Sequence, residues 1–210
     1  MGHVEIIHSK EPIRLFKSDV LEFFTHISPI AILVIWIPVV IYFLVLAFNI
    51  SSPFEIIFGY LFGLIFWTFA EYGLHRFLFH FKPRAPWQER VSFLMHGVHH
   101  AQPTIKTRLV MPPPVSVPLA ALFYGAFVLI LGVILPLDNW VKPLFAGFIT
   151  GYVLYDMTHY ALHHIRWQHP YMKSLRRYHM LHHSQTPNQR YGVTSPLWDR
   201  VFGTMPGWNI

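Results

Sequence analysis

Four long apolar runs, separated alternately by very short and very long polar segments, dominate the chain. Residues 29–48 contain no charged side chain, residues 54–74 carry charge only near their ends at Glu55 and Glu71, and residues 115–135 are again uncharged. Residues 141–158 are the least apolar, with Lys142 at one end and Asp156 at the other. A helix crossing a bilayer needs about 20 mostly apolar residues, because no backbone group can be left unpaired in hydrocarbon. The pattern therefore predicts four transmembrane helices, with Pro38 an expected kink in the first. The links 49–53 and 136–140 are so short that consecutive helices should run antiparallel, as two helical hairpins. Segments 1–28, 75–114 and 159–210 remain outside the bilayer, and no internal repeat divides the chain. The expected architecture is one domain over residues 1–210, an all-α integral membrane protein with a helical cap on one face.

Composition agrees with lipid as the solvent. Of the 210 residues 53% are hydrophobic and only 12% charged, which does not suit a soluble domain. A formal charge of +6 could suggest a nucleic-acid partner. The lysines and arginines are scattered among apolar runs and form no phosphate-binding stripe, so that class is excluded. Their distribution orients the chain instead. Lys10, Arg14 and Lys17 precede the first run; Arg76, Lys82, Arg84, Arg90, Lys106 and Arg108 lie between the hairpins; Arg166, Lys173, Arg176, Arg177, Arg190 and Arg200 follow the last. Lys142 alone of the 16 falls on the other side, which predicts that both termini and the central segment are cytosolic. Because no small-residue cleavage site follows a short apolar core, the first run reads as an anchor and not a removed signal. A bacterial inner membrane and the endoplasmic reticulum both fit. Met111-Pro112-Pro113-Pro114 reads as a stiff extended lead into the third run.

The chain has no cysteine, so metal chemistry must fall to its 15 histidines. Ten of them form four groups: His75 with His80, His96-x-x-His99-His100, His159-x-x-x-His163, and His179-x-x-His182-His183. All four begin at or just past the ends that lysine and arginine mark as cytosolic, although histidine played no part in that assignment. On an α-helix, positions i, i+3 and i+4 lie within about 100° of arc, so each His-x-x-His-His can aim three imidazoles at one place. His159 and His163 do the same with two. His75 and His80 diverge by roughly 140° on an ideal helix, so they should serve different ions or sit where the helix breaks, and Pro83 follows closely. Ten imidazoles exceed the needs of one ion and suit two ions of four to six ligands each. Imidazole alone leaves zinc, iron, copper and nickel open.

The only carboxylates near these clusters are Glu71, Glu89 and Asp156, which excludes a carboxylate-bridged centre built on a glutamate from each of four helices. Asp156, three residues before His159, is placed to accept a ligand's remaining N–H or to hold a proton. His3, His8, His26 and His169 are expected to be structural or interfacial. His164 points about 100° away from its neighbour His163 and is expected outside the ligand set.

At these residues the chain resembles the fatty acid hydroxylase family, and within it the 2-hydroxylases of sphingolipid acyl chains. The likeness runs through Leu15-Phe16-Lys17-Ser18, the segment from Glu71 to His80, His96-Gly97-Val98-His99-His100, and Arg108-Leu109-Val110-Met111-Pro112-Pro113. It continues in Tyr155-Asp156-Met157-Thr158-His159-Tyr160, Tyr178-His179-Met180-Leu181-His182-His183, and the closing Gly192 to Asp199 and Val201 to Thr204. The resemblance implies a dimetal centre on all ten clustered histidines that uses O2 and two external electrons to place one oxygen at C2 of an acyl chain. That chemistry requires iron when active, although zinc can occupy the same imidazoles in purified protein. Asp156 would tune a ligand or relay a proton, with Tyr155 or Tyr152 as donor. Many eukaryotic members begin with a cytochrome b5-like domain, for which this chain leaves no room. The expected partners are therefore a lipid acyl substrate, such as a ceramide or free fatty acid, and a separate electron carrier such as cytochrome b5 or a ferredoxin. A desaturase or sterol-type oxidase using the same boxes is the nearest rival. A metal transporter would place polar ligands in mid-membrane, where these runs are apolar.

Overall fold

Serines start the two longest N-terminal helices in the computed structural model, which describes Ile7, Ser9 and residues 11–206. His3, His8 and Lys10 lie outside the described residues. After a short helix α1 (Asp19–Phe23), Ser28 accepts the Ala31 amide at 3.1 Å and Pro29 sets the first turn of α2 (Pro29–Ile50). Two residues later Ser52 and Glu55 form a reciprocal capping box that opens α3 (Pro53–Gly73). Pro38 lies inside α2, which continues through it. The chain proceeds through α4 (Pro86–Ser92), α5 (Val98–Ala101), α6 (Pro113–Phe127), α7 (Asp138–His164), α8 (Pro170–Ser184) and α9 (Leu197–Val201). Wider-wound π-helical turns extend α3 over Leu74–Phe79, join α4 to α5 over Phe93–Gly97, and extend α6 over Val128–Ile134. The described residues contain no strand.

Three stretches, Pro29–Ile50, Pro53–Phe79 and Lys106–Ile134, are long and apolar enough to cross a membrane. Their outward side chains include Val34, Phe48, Ile65, Leu122 and Val133, apolar groups that water would not favour in such numbers. The fourth run forms the middle of α7 and behaves differently. Of the 27 residues of α7, 16 are buried, against 3 of the 22 in α2. It is the core helix of the bundle.

The tightest packing is not within either expected hairpin but between them, where α7 lies along α3 and, less extensively, along α2. Glycines explain it. A Cβ at Gly63 would overlap the Leu144 carbonyl oxygen, and one at Gly147 would overlap that of Tyr60. With Gly59 and Gly151 these form two small-xxx-small pairs, which let backbones meet where the hydrophobic effect offers no drive between helices. Around the crossing, edge-on aromatic contacts tie Trp36 and Trp67 to Tyr152 at 5.4 Å each, and Trp67 to Phe148 at 5.0 Å. This rigid α3–α7 pair carries His75 and His159 at its end.

Candidate metal centre

The ten clustered histidines converge in two groups of five. His75, His80, His96, His100 and His182 form the first; His99, His159, His163, His179 and His183 form the second, and within each group the ring nitrogens lie within 4.8 Å of one another. Every ring is buried except that of His163, which is partly so.

Local winding explains the membership. Over Leu74–Phe79 the helix widens, so that the His80 amide donates to the His75 carbonyl at 3.1 Å in an i to i+5 bond, and the helix stops at His80. Of the two outcomes that the spacing left open, the helix break is the one found, and both rings reach the first group.

The triplets differ from expectation. Each His-x-x-His-His was expected to aim its three rings at one place, but each is split. His96 and His100 enter the first group and His99 the second; His179 and His183 enter the second and His182 the first. The three positions do share an arc, but i+3 lies at one edge of it and i+4 at the other, and two side-by-side centres sort those edges apart. Each group therefore takes four rings from one half of the chain and one from the other.

Six Nε2–Nε2 separations fall between 2.9 and 3.1 Å, all of them within a group. Two nitrogens each about 2.1 Å from a shared ion stand about 3.0 Å apart at a right angle and about 3.4 Å apart at a tetrahedral one. The spacing suits rings that would share an ion, and the donor set fits two ions, one for each group. The protonation state fits as well. Burial, followed by the charge of neighbouring imidazoles, pushes His96, His99, His100, His179, His182 and His183 well below the ordinary histidine range. Neutral rings keep the lone pair that a cation needs.

A cavity of about 420 Å³ reaches this centre, with His96, His99 and His159 in one wall. Most of the rest is apolar, including Phe79, Met95, Leu109 and Val110, and the N-terminal segment contributes Leu21 and Phe24. Asp156 and Tyr155 also line it. Both Asp156 oxygens accept the Met111 amide at 3.2 Å, and the Tyr152 hydroxyl donates to the Met111 carbonyl at 3.3 Å. Asp156 thus fixes the segment entering α6 through that backbone, and it also bonds the Tyr152 side chain. The Tyr155 ring packs against that of His159 at 5.8 Å.

His26 bonds Thr107 at 2.8 Å, His169 precedes α8, and His164 packs on Tyr160 at 4.8 Å outside both groups. Sequence reasoning missed the backbone that holds the ligands. The Nδ1–H of His75 donates to the Tyr191 carbonyl at 2.5 Å and that of His182 to the Gln189 carbonyl at 2.6 Å. Carbonyls leave no residue-type signature; of the two carboxylates that hold this segment, Glu71 stands out as a rare acid beside the clusters and Asp199, well past the last of them, does not.

The sequence family called fatty acid hydroxylase matches residues 60–204. A dihydroceramide fatty acyl 2-hydroxylase of Arabidopsis thaliana is 40% identical over 202 residues, covering 95% of this chain and 83% of that protein. The ceramide very long chain fatty acid hydroxylase of Saccharomyces cerevisiae is 43% identical over 83% of this chain and 44% of its own, and a mouse fatty acid 2-hydroxylase is 36% identical over 92% and 57%. A solved structure of full-length Scs7p, in which only the hydroxylase domain is visible, superposes with a TM-score of 0.83 at 40% identity, covering 91% of this chain and 72% of that one. The chain belongs to the fatty acid hydroxylase family. The relatives named above are hydroxylases of fatty acyl chains.

Proposed function

We propose that this chain hydroxylates C2 of a fatty acyl chain carried on a sphingolipid such as ceramide or dihydroceramide, or present as the free acid, with the ten histidines as ligands of two iron ions. The observation that carries the reading is the apolar cavity whose wall includes His96, His99 and His159. Iron bound there supplies the O2-dependent redox chemistry that an unactivated C–H bond demands and that zinc cannot provide. The protein's own residues do the rest. Phe79, Leu109 and Val110 hold the chain and exclude water, Asp156 keeps the wall at Met111 in place, and the Asp156 carboxylate and Tyr155 hydroxyl are the groups beside the cavity able to hold a proton.

The reading extends to topology. Four spans, the fourth formed by α7, would bring the histidine end to the cytosolic face, as the lysine and arginine distribution supports. Residues 1–210 would act as one domain and take electrons from a separate carrier such as cytochrome b5 or a ferredoxin. Bacterial inner membrane and endoplasmic reticulum both accommodate it. The test is lipid profiling of cells with and without the gene. Acyl species that gain one oxygen at C2 are expected, and their loss in His99→Ala. Products that instead lose two hydrogens would indicate a desaturase, and an unchanged lipid profile would overturn the proposal.

A further inference from the structure

Residues 189–204 wrap the first histidine group, and two buried carboxylates hold them there. Glu71 Oε1 accepts the amides of Val193 at 2.7 Å and Thr194 at 2.9 Å, while Oε2 accepts the Thr194 hydroxyl at 2.6 Å. Asp199 accepts the amides of Tyr191 at 2.9 Å and Gly192 at 2.7 Å and the Thr204 hydroxyl at 2.7 Å. Tyr72 and Thr204 join their hydroxyls at 3.0 Å, closing the loop onto α3. Both acids are almost fully buried, at 3% and 0% exposure, so hydrogen bonds must replace the water they lose.

What they hold is a strained turn. Arg190 has φ +61, a left-handed conformation that is uncommon for a residue with a side chain and persists where its surroundings impose it. The turn leaves the carbonyls on either side of Arg190 aimed at two imidazoles of one group: Gln189 at His182 and Tyr191 at His75. Each carbonyl fixes its ring's tautomer, leaving Nε2 as the donor atom. Elsewhere in the two groups the Nδ1 atoms of His80, His99, His159, His179 and His183 are buried without a hydrogen-bond partner, and His163 bonds the Pro103 backbone.

We propose that Glu71 and Asp199 are positioning residues for half of the metal centre: through the backbone of 189–194 they orient His75 and His182, and so set the metal affinity of the first group alone. This rests on the metal reading given above.

The test uses the full chain in detergent, with metal per chain measured by elemental analysis against a competing chelator. Glu71→Gln and Asp199→Asn are expected to weaken retention of one ion by about 10- to 100-fold while the other is held as in the unaltered protein. Adding Glu71→Gln to His75→Ala with His182→Ala should change nothing further. Adding it to His163→Ala with His179→Ala should strip the remaining ion. Thr194→Val, which removes only the hydroxyl bond, should act in the same direction more weakly, and it covers the case in which the acid variants do not fold. Equal weakening of both ions, or of neither, would overturn the proposal. An unaltered chain that retains no metal would instead overturn the reading on which it rests.

Discussion

His99 and His100 are consecutive in the chain but belong to different histidine groups, their ring centroids 5.9 Å apart and their planes 76° from parallel. His182 and His183 repeat the relationship at 5.7 Å and 85°. Neighbouring side chains on a helix diverge by about 100°, so a His-His dipeptide on the seam between two centres serves both. The halves of the chain are thereby linked: His99 reaches from the first half into the second group, and His182 from the second half into the first.

This exchange makes single substitutions informative. His99→Ala should deplete the ion of the second group and spare that of the first, and His182→Ala should do the reverse. Elemental analysis of the purified variants would read both, with one ion per chain expected in each.

The α3–α7 crossing is the mechanical base of the site. Gly147→Ala must push its new Cβ against the Tyr60 carbonyl, which is backbone and cannot swing aside. Overpacking of this kind costs about 1–3 kcal/mol, and a lower melting temperature in detergent is expected with a matching loss of bound metal. Gly125→Ala, where nothing lies within 4 Å of the new atom, should leave stability unchanged or raise it.

Arg108 straps the N-terminal segment over the cavity. Its guanidinium bonds Glu22 at 2.5 Å, the Ile13 carbonyl, Thr25 and His26. Burial pushes the Glu22 carboxyl upward, but the amides of Phe16 and Leu15 and the Arg108 charge outweigh it and leave Glu22 below its ordinary range. A carboxyl lowered on folding stabilises the strap above its unfolded pKa, and the contribution fades as pH falls through the lowered folded value. Protease sensitivity of residues 11–27 should therefore be low at neutral pH and rise only in distinctly acidic solution. Glu22→Gln should make the segment sensitive at neutral pH, and a flat acid profile in the unaltered protein would count against the strap.

Much of this architecture was legible from residue type and period. The runs at 29–48, 54–74 and 115–135 emerge as helices because lipid imposes a single requirement on length and polarity, and the histidine clusters stand out because ten rings of one type cannot gather by packing alone. Other features were hidden for definite reasons. An ideal 3.6-residue turn cannot place His75 and His80 together, and the π-helical turn that does so has no sequence mark. The same period puts His96, His99 and His100 in one arc and says nothing of two centres sharing it. The α3–α7 crossing had a signal in Gly59-x-x-x-Gly63 and Gly147-x-x-x-Gly151, which a search for apolar runs passes over. The fourth run looked weak because much of α7 faces protein and the metal end, where polar groups such as Tyr152, Asp156 and His159 are tolerated.

The central claim is that two ions sit among these ten rings, five to each. Diffraction from metal-loaded crystals, recorded at the metal absorption edge, tests it directly. Two anomalous peaks per chain are expected, one bonded by His75, His80, His96, His100 and His182 and the other by His99, His159, His163, His179 and His183. A single peak, or peaks away from these rings, would contradict it.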